Sequence, residues 1–110
     1  MVAILRNLDD YEAARNGPLP VVLDFFAEWC GPCRALSPQL DALAQEFAGR
    51  AIFYKVDVDA PETERLTQAM QVAAMPTMIV IHGGRIAARV EGARLAPIRA
   101  ALEKAVSSMA

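Results

Sequence analysis

The residues of this chain best suited to chemistry are its two cysteines, Cys30 and Cys33, which enclose Gly31 and Pro32 and follow Trp29. Two thiols at this spacing can form and break a disulfide, which is redox chemistry. A purely stabilising disulfide is one alternative, but closing a loop of four residues contributes only about 2 kcal/mol in the chain-entropy model. A structural zinc site is another alternative, but it needs four ligands, and the chain adds a single histidine. The spacing therefore favours a redox-active pair, and no metal site is predicted.

The cysteine pair lies between a predicted strand and a predicted helix. Residues 21–27 form a near-continuous apolar run, which is typical of a parallel strand covered on both faces. After the pair, apolar residues recur at helical spacing on one face of a helix that ends at Gly49, with Pro38 expected to kink it. The apolar positions are Leu36, Leu40, Leu43 and Phe47. Cys30 is therefore expected at the amino end of a helix, where unpaired N–H groups and the helix dipole favour a thiolate.

The other segments complete an alternating order of strands and helices. Strands are predicted at 2–5, 51–58, 77–82 and 85–91, and helices at 7–15, from 61 onward and at 95–106. Gly83-Gly84 predicts a type I′ turn between the last two strands. The order β-α-β-α-β-α-β-β-α predicts a single α/β domain over residues 1–110, with a central mixed five-stranded sheet flanked by four helices.

Composition excludes several classes of protein. Apolar residues make up 55% of the 110 residues and charged residues 22%, which indicates a globular chain. The net charge of −2, without a basic stripe, argues against nucleic-acid binding. The longest apolar run, residues 1–5, is far shorter than the ~20 residues of a membrane span. Because acidic residues at 9, 10 and 12 follow without a secretory apolar segment, a cytoplasmic location is expected.

Three sequence features together match one known family. The string from Trp29 to Cys33 follows a buried-strand acid, Asp24, and precedes Met75-Pro76-Thr77, whose proline lies 43 residues after Cys33. In these features the chain resembles the thioredoxin family over essentially its whole length. Further matches are Ala27-Glu28, Pro38, Lys55, Gly84 and Gly92, and the departures are Phe26 where some members carry Trp and Arg34 where Lys is common.

The resemblance implies a thioredoxin fold and the activity of a protein-disulfide reductase. Cys30 would be the nucleophile and Cys33 the resolving thiol, and Gly31 and Pro32 would restrict the loop between them. The resemblance also implies a monomer without a bound cofactor, re-reduced by an NADPH-dependent flavoprotein thioredoxin reductase and acting on disulfide-containing client proteins. The absence of a histidine at Pro32 implies a reductant. A disulfide oxidant or isomerase, and a redox-independent binding module, are the competing interpretations.

The resemblance also assigns roles to residues outside the motif. Asp24 would relay protons to Cys33, and the alternative is a structural ion pair with Lys55. Trp29, Met75, Pro76 and Gly92 would form the client-binding surface, with Gly84 beside it. The alternatives are core packing for Trp29, an ordinary strand-entry proline at 76 and simple turn geometry for the two glycines.

Overall fold

A twisted sheet with strand order β1-β3-β2-β4-β5 forms the centre of the computed structural model, which describes residues 1–109. The strands are β1 (Ala3–Ile4), β2 (Val21–Phe26), β3 (Ile52–Asp57), β4 (Thr77–His82) and β5 (Arg85–Glu91). The helices are α1 (Leu8–Arg15), α2 (Gly31–Glu46), α3 (Glu64–Ala69), preceded by a 3-10 turn at Pro61–Thr63, and α4 (Ala96–Ser107). Strands β1, β3 and β2 are parallel, whereas β4 is antiparallel to both β2 and β5. The predicted mixed sheet, four helices and element order are confirmed.

Strand β2 is the centre of the core because all six of its residues are buried. Its alternate side chains contribute to two separate apolar clusters, as the period of a strand requires. Val22 belongs to the cluster with Leu36 and Leu40 of α2, while Leu23 and Phe25 belong to the cluster on the opposite face. The even-numbered residues of β2 therefore face α2, the helix that carries Cys33.

The turn between β4 and β5 has the backbone that its two glycines predict. Gly83 and Gly84 have φ values of 62° and 76°, the positive angles of a type I′ turn. The bounds of both strands agree with the sequence prediction. Local turn chemistry therefore fixes this part of the sheet.

Other element ends differ from the prediction where tertiary contacts decide them. β1 covers only two residues. Before its start the Val2 N–H donates to Asp41 Oδ1 at 2.8 Å, and after its end the Leu5 N–H donates to Lys55 O at 2.8 Å. Helix α2 continues through Pro38 and ends at Glu46, before Gly49. The kink expected at Pro38 stays a prediction. No helix within residues 1–109 is both long and apolar enough to cross a membrane.

Candidate active site

Cys30 and Cys33 form a disulfide at the amino end of α2, with their Cα atoms 5.3 Å apart. Cys30 is the N-cap residue, with extended backbone angles of −88° and 108°. The backbone N–H of Cys33 donates a hydrogen bond to Cys30 Sγ at 3.2 Å. Pro32 lies in the first helical turn, where its missing N–H costs no hydrogen bond. The sulfur of Cys30 therefore occupies the position where a helix best stabilises negative charge.

The two sulfurs differ in hydrogen bonding more than in burial. Cys30 is 5% exposed and Cys33 is 3% exposed, so the expectation of a more deeply buried Cys33 holds by only a small margin. The residues between them, Gly31 and Pro32, are exposed. A Cβ built at Gly31 would meet only the end of the Arg34 side chain, at 4.0 Å. An incoming disulfide would therefore approach over an open surface.

Trp29 lies on this surface with 68% of its area exposed, so the alternative of core packing is wrong. Its indole Nε1 donates to Asp59 Oδ2 at 3.1 Å, and the Asp59 N–H donates to Asp57 Oδ1 at 2.9 Å. Sequence reasoning did not single out Asp59. The available signal was its place just after β3, since carboxyl ends of parallel strands meet at one edge of a sheet.

Asp24 lies in the middle of β2 and is fully buried. Asp24 lies two residues after Val22, which packs against α2, and two residues before Phe26, which clusters with Cys33. Residues two apart on a strand share one face. Asp24 is therefore on the face of the sheet covered by α2, the helix that carries Cys33. Among the described residues, neither carboxylate oxygen has a hydrogen-bond partner. Burial raises the pKa of this carboxyl group to about 6, and the positive charge of Lys55 partly opposes the shift.

Lys55 is paired with Asp24 on the neighbouring strand β3, and its side chain lines a cleft that Cys33 also lines. Its Nζ donates to Ser37 Oγ at 3.3 Å and lies 4.5 Å from the centre of the Phe26 ring. These three residues and Cys33 line a cleft of about 410 Å³, together with Ala27, Glu28 and Arg34. The cleft therefore lies between Cys33 of α2 and Lys55 of β3.

The segment before β4 packs against the apolar cluster that contains the disulfide. The Met75–Pro76 peptide bond is cis, and the Met75 side chain packs against the cluster that contains both cysteines. Within residues 1–109, no hydrogen bond involves the backbone N–H or C=O of Met75. The next residue is fixed, because Pro76 O accepts the Gly92 N–H at 2.8 Å. The Met75 backbone is therefore available to an extended chain.

Of the two glycines expected near the site, Gly92 lies there and Gly84 does not. Gly92 is bonded to Pro76 and has a φ of 109°, which favours glycine at this position. Gly84 lies elsewhere, which corrects the expectation that it borders the site. In the β2–β4 register, Thr77 pairs with Phe25 near the cysteines, whereas Ile81 pairs with Val21 at the other end. At ~3.3 Å per strand residue, the turn after β4 is well over 10 Å from the site.

A cysteine pair at a helix N-terminus on this fold defines a class of protein, the thiol–disulfide oxidoreductases. The family model named Thioredoxin matches residues 5–106. The chain is 41% identical to thioredoxin-2 of Saccharomyces cerevisiae, over 93% of this chain and 96% of that protein. It is 45% identical to thioredoxin of Echinococcus granulosus, over 88% of this chain and 90% of that protein.

The solved structures agree with this likeness. The crystal structure of Malassezia sympodialis thioredoxin superposes with a TM-score of 0.84 at 33% identity, covering 96% of this chain and 91% of the other. The chain belongs to the thioredoxin family. It is a disulfide oxidoreductase, and the structure contains its redox-active pair in the disulfide form. Within residues 1–109, no group of three or more His, Cys, Asp or Glu is arranged to hold a metal ion.

Proposed function

We propose that the protein is a general protein-disulfide reductase in which Cys30 attacks the client and Cys33 resolves the intermediate. The observation that supports this order is the hydrogen bond from the Cys33 N–H to Cys30 Sγ at 3.2 Å. The same N–H and the helix dipole would stabilise a thiolate at Cys30 in the reduced protein. No comparable donor contacts Cys33 Sγ among the described residues.

The reaction has two exchange steps and transfers two electrons. In the first step the Cys30 thiolate attacks one sulfur of the client disulfide, which forms a mixed disulfide and releases the other client sulfur as a thiolate. In the second step the Cys33 thiolate attacks Cys30 Sγ, which forms the Cys30–Cys33 disulfide and releases the second client thiolate. The client disulfide is reduced and the cysteine pair is oxidised to the state in the structure.

Asp24 would accept the thiol proton of Cys33 before the second step. A base must lose its own proton at working pH to act, and a carboxyl group with a pKa of about 6 has done so at neutral pH. Its lack of hydrogen-bond partners among described residues leaves both oxygens able to accept.

Client proteins would bind across the surface formed by Trp29, Met75 and Gly92. Pro76, which belonged to the expected surface, is buried and would act by fixing the backbone next to Met75. Trp29 offers an exposed aromatic face held by Asp59, and the unpaired Met75 backbone can bond an extended segment as an added strand does. Gly92 has no side chain, and a Cβ built there meets nothing within 4 Å. No side chain therefore projects from this part of the surface. A surface of backbone groups and one aromatic ring fits clients of many sequences.

The electrons would come from an NADPH-dependent flavoprotein thioredoxin reductase, and the protein would act as a monomer in the cytoplasm. A reductant operates in a compartment where thiols stay reduced. The Gly31-Pro32 dipeptide supports the reductant, because no titratable group between the cysteines stabilises the thiolate form further.

Reduction of insulin disulfides with NADPH and a purified thioredoxin reductase tests this function. NADPH consumption should depend on the chain and should disappear in the Cys30→Ser/Cys33→Ser double variant. Equal consumption with that variant would contradict the proposal. Insulin reduction that proceeds with dithiothreitol as the donor, but not with NADPH and the reductase, would contradict it as well. A reduction potential as oxidising as that of disulfide isomerases, about −180 mV, would instead favour the competing oxidant.

A further inference from the structure

The end of helix α3 has an uncommon residue at its turning point. The N–H of Gln71 donates to Gln68 O at 3.0 Å and that of Val72 donates to Thr67 O at 3.2 Å, which is the Schellman arrangement. Glycine is the usual residue at the left-handed position of this motif, whereas here it is Gln71, with a φ of 53°. This backbone conformation therefore needs support from elsewhere in the fold.

The support comes from Arg89 on strand β5. Its Nη1 donates to the carbonyl oxygen of Met70 at 2.5 Å, and its Nη2 donates to that of Gln71 at 3.1 Å. Carbonyl groups at a helix end have no partner within the helix, so these bonds satisfy two exposed acceptors. The guanidinium also lies 3.8 Å from the carboxylate of Glu91. Arg89 is held in turn by the sheet, where it pairs with Ile79 of β4.

These contacts fix the start of a short segment that ends at the active site. After Gln71 only three residues precede Met75, which packs against the cysteine cluster. The far end of the segment is tied to β4, because Thr77 Oγ1 donates to Ala74 O at 2.5 Å. Arg89 therefore holds one end of the segment from residue 72 to residue 75, and Thr77 holds the other end.

We propose that Arg89 is a positioning residue for client binding. It would hold the end of α3 so that the Met75 backbone stays in the orientation that an extended client segment requires. Arg89 itself lies outside the cysteine site and would not touch the reacting sulfurs. This inference rests on the proposed binding of clients at Met75.

A purely structural helix cap would have a different signature from a positioning residue. Loss of a cap lowers stability without changing how a folded molecule meets its client. Loss of the positioning contact should weaken client binding in molecules that remain folded. It should not change the chemistry of the cysteine pair toward a small disulfide that makes no contact with Met75.

The test compares Arg89→Met with Arg85→Met in single-turnover reactions of the pre-reduced proteins, without added dithiol and with excess substrate, so that KM and kcat are the half-saturating substrate concentration and the limiting rate. Methionine keeps the apolar stem of arginine and removes both hydrogen bonds. Arg85 lies on the same strand, and no hydrogen bond or ion pair of its guanidinium is found within residues 1–109. For insulin, KM should rise about fivefold in Arg89→Met, the equivalent of one lost hydrogen bond, with kcat unchanged. The rate at which Arg89→Met reduces 2-hydroxyethyl disulfide should equal that of the parent. Arg85→Met should reduce both substrates at the parent's rates.

Hydrogen exchange gives a second measurement that does not depend on turnover. The amide of Val72, which donates to Thr67 O at 3.2 Å, should exchange faster in Arg89→Met, while those of β2 should not change. If Arg89→Met fails to fold, Arg89→Lys keeps the test valid, since one of the two bonds can still form and a smaller rise in KM is expected.

The outcomes separate this inference from the function on which it rests. If the parent does not reduce insulin, the proposed function fails and the inference fails with it. If the parent is active and the insulin KM of Arg89→Met is unchanged, only the inference is overturned. An equal loss of rate with both substrates, or an equal effect of Arg85→Met, would also overturn it.

Discussion

Asp24 and Lys55 are directly paired across strands β2 and β3, but their charged groups are not joined. Lys55 Nζ donates to Ser37 Oγ and lies over the Phe26 ring, whereas neither Asp24 oxygen has a hydrogen-bond partner among the described residues. The interaction of the two residues is therefore a longer-range attraction that only partly offsets the cost of burying the carboxylate. This geometry argues against a structural ion pair at this position.

Replacing Asp24 with asparagine is expected to stabilise the protein at pH 8. The carboxyl group has a pKa of about 6 when folded and 3.8 as its ordinary value, so the folded state binds more protons between those values. Stability therefore falls as the pH rises from about 4 to about 6 and stays low above it. A shift of two units corresponds to about 3 kcal/mol, from which burial of the asparagine amide subtracts part. Urea unfolding should show a gain of roughly 1–3 kcal/mol at pH 8 that shrinks toward pH 4.

Asp24→Ala provides the second measurement of the same effect. It removes the buried polar group altogether, and it should also be at least as stable as the parent above pH 6. A loss of several kcal/mol in both variants would restore the interpretation as a structural pair, because Lys55 would then be left uncompensated.

The parts of this protein that sequence could predict are those fixed by local chemistry. The bounds of β4 and β5 follow from the positive-φ turn at Gly83-Gly84. The apolar run of β2 identifies it as a strand buried on both faces. At the start of β1, the Val2 N–H bonds to Asp41, which is 39 positions away, and no local pattern contains that information.

The candidate site divides in the same way. The cysteine pair and its helix N-terminus are local, so spacing and periodicity predicted them. The contacts of Asp59 with Trp29 and of Arg89 with Gln71 join residues that are 30 and 18 positions apart. Gly84 was assigned to the site from family likeness alone, and the strand register shows why that assignment was wrong.

Cys33→Ser is expected to trap client proteins as mixed disulfides on Cys30. The first exchange step remains possible, but no thiol remains to release the client. The measurement is non-reducing electrophoresis of the pre-reduced variant after incubation with a disulfide-containing protein. Cys30→Ser is the matched control and should trap almost nothing, since it lacks the thiolate at the N-cap. Trapping by Cys30→Ser alone, or equally by both, would reverse the assignment of the two thiols.

Pro32→His is expected to make the reduction potential more positive. An imidazolium next to Cys30 would stabilise the thiolate and so the reduced form. Since about 1.4 kcal/mol corresponds to 30 mV for a two-electron couple, a shift of tens of millivolts is expected. Equilibration with glutathione buffers measures the potential, and Pro32→Ala separates the added charge from the lost ring. An unchanged or more negative potential in Pro32→His would show that this position does not set the potential.

Asp24→Asn is expected to slow disulfide reduction near neutral pH, on the order of tenfold to a hundredfold, at or below the low end of general base catalysis. In the parent, the carboxylate can accept the Cys33 proton only above its pKa of about 6, so the rate should fall as the pH drops through that value. The variant should lack this inflection. Its deficit should shrink as the pH rises further, because a thiol with an ordinary pKa of ~8.5 then ionises without a base.

Single-turnover rates of the pre-reduced proteins with insulin, taken from about pH 5 to pH 9, measure both the inflection and the shrinking deficit. Since the asparagine variant is expected to be the more stable protein at pH 8, slower reduction there cannot come from unfolding. Normal rates across this range would exclude the proton-transfer role and leave Asp24 without a function in the exchange.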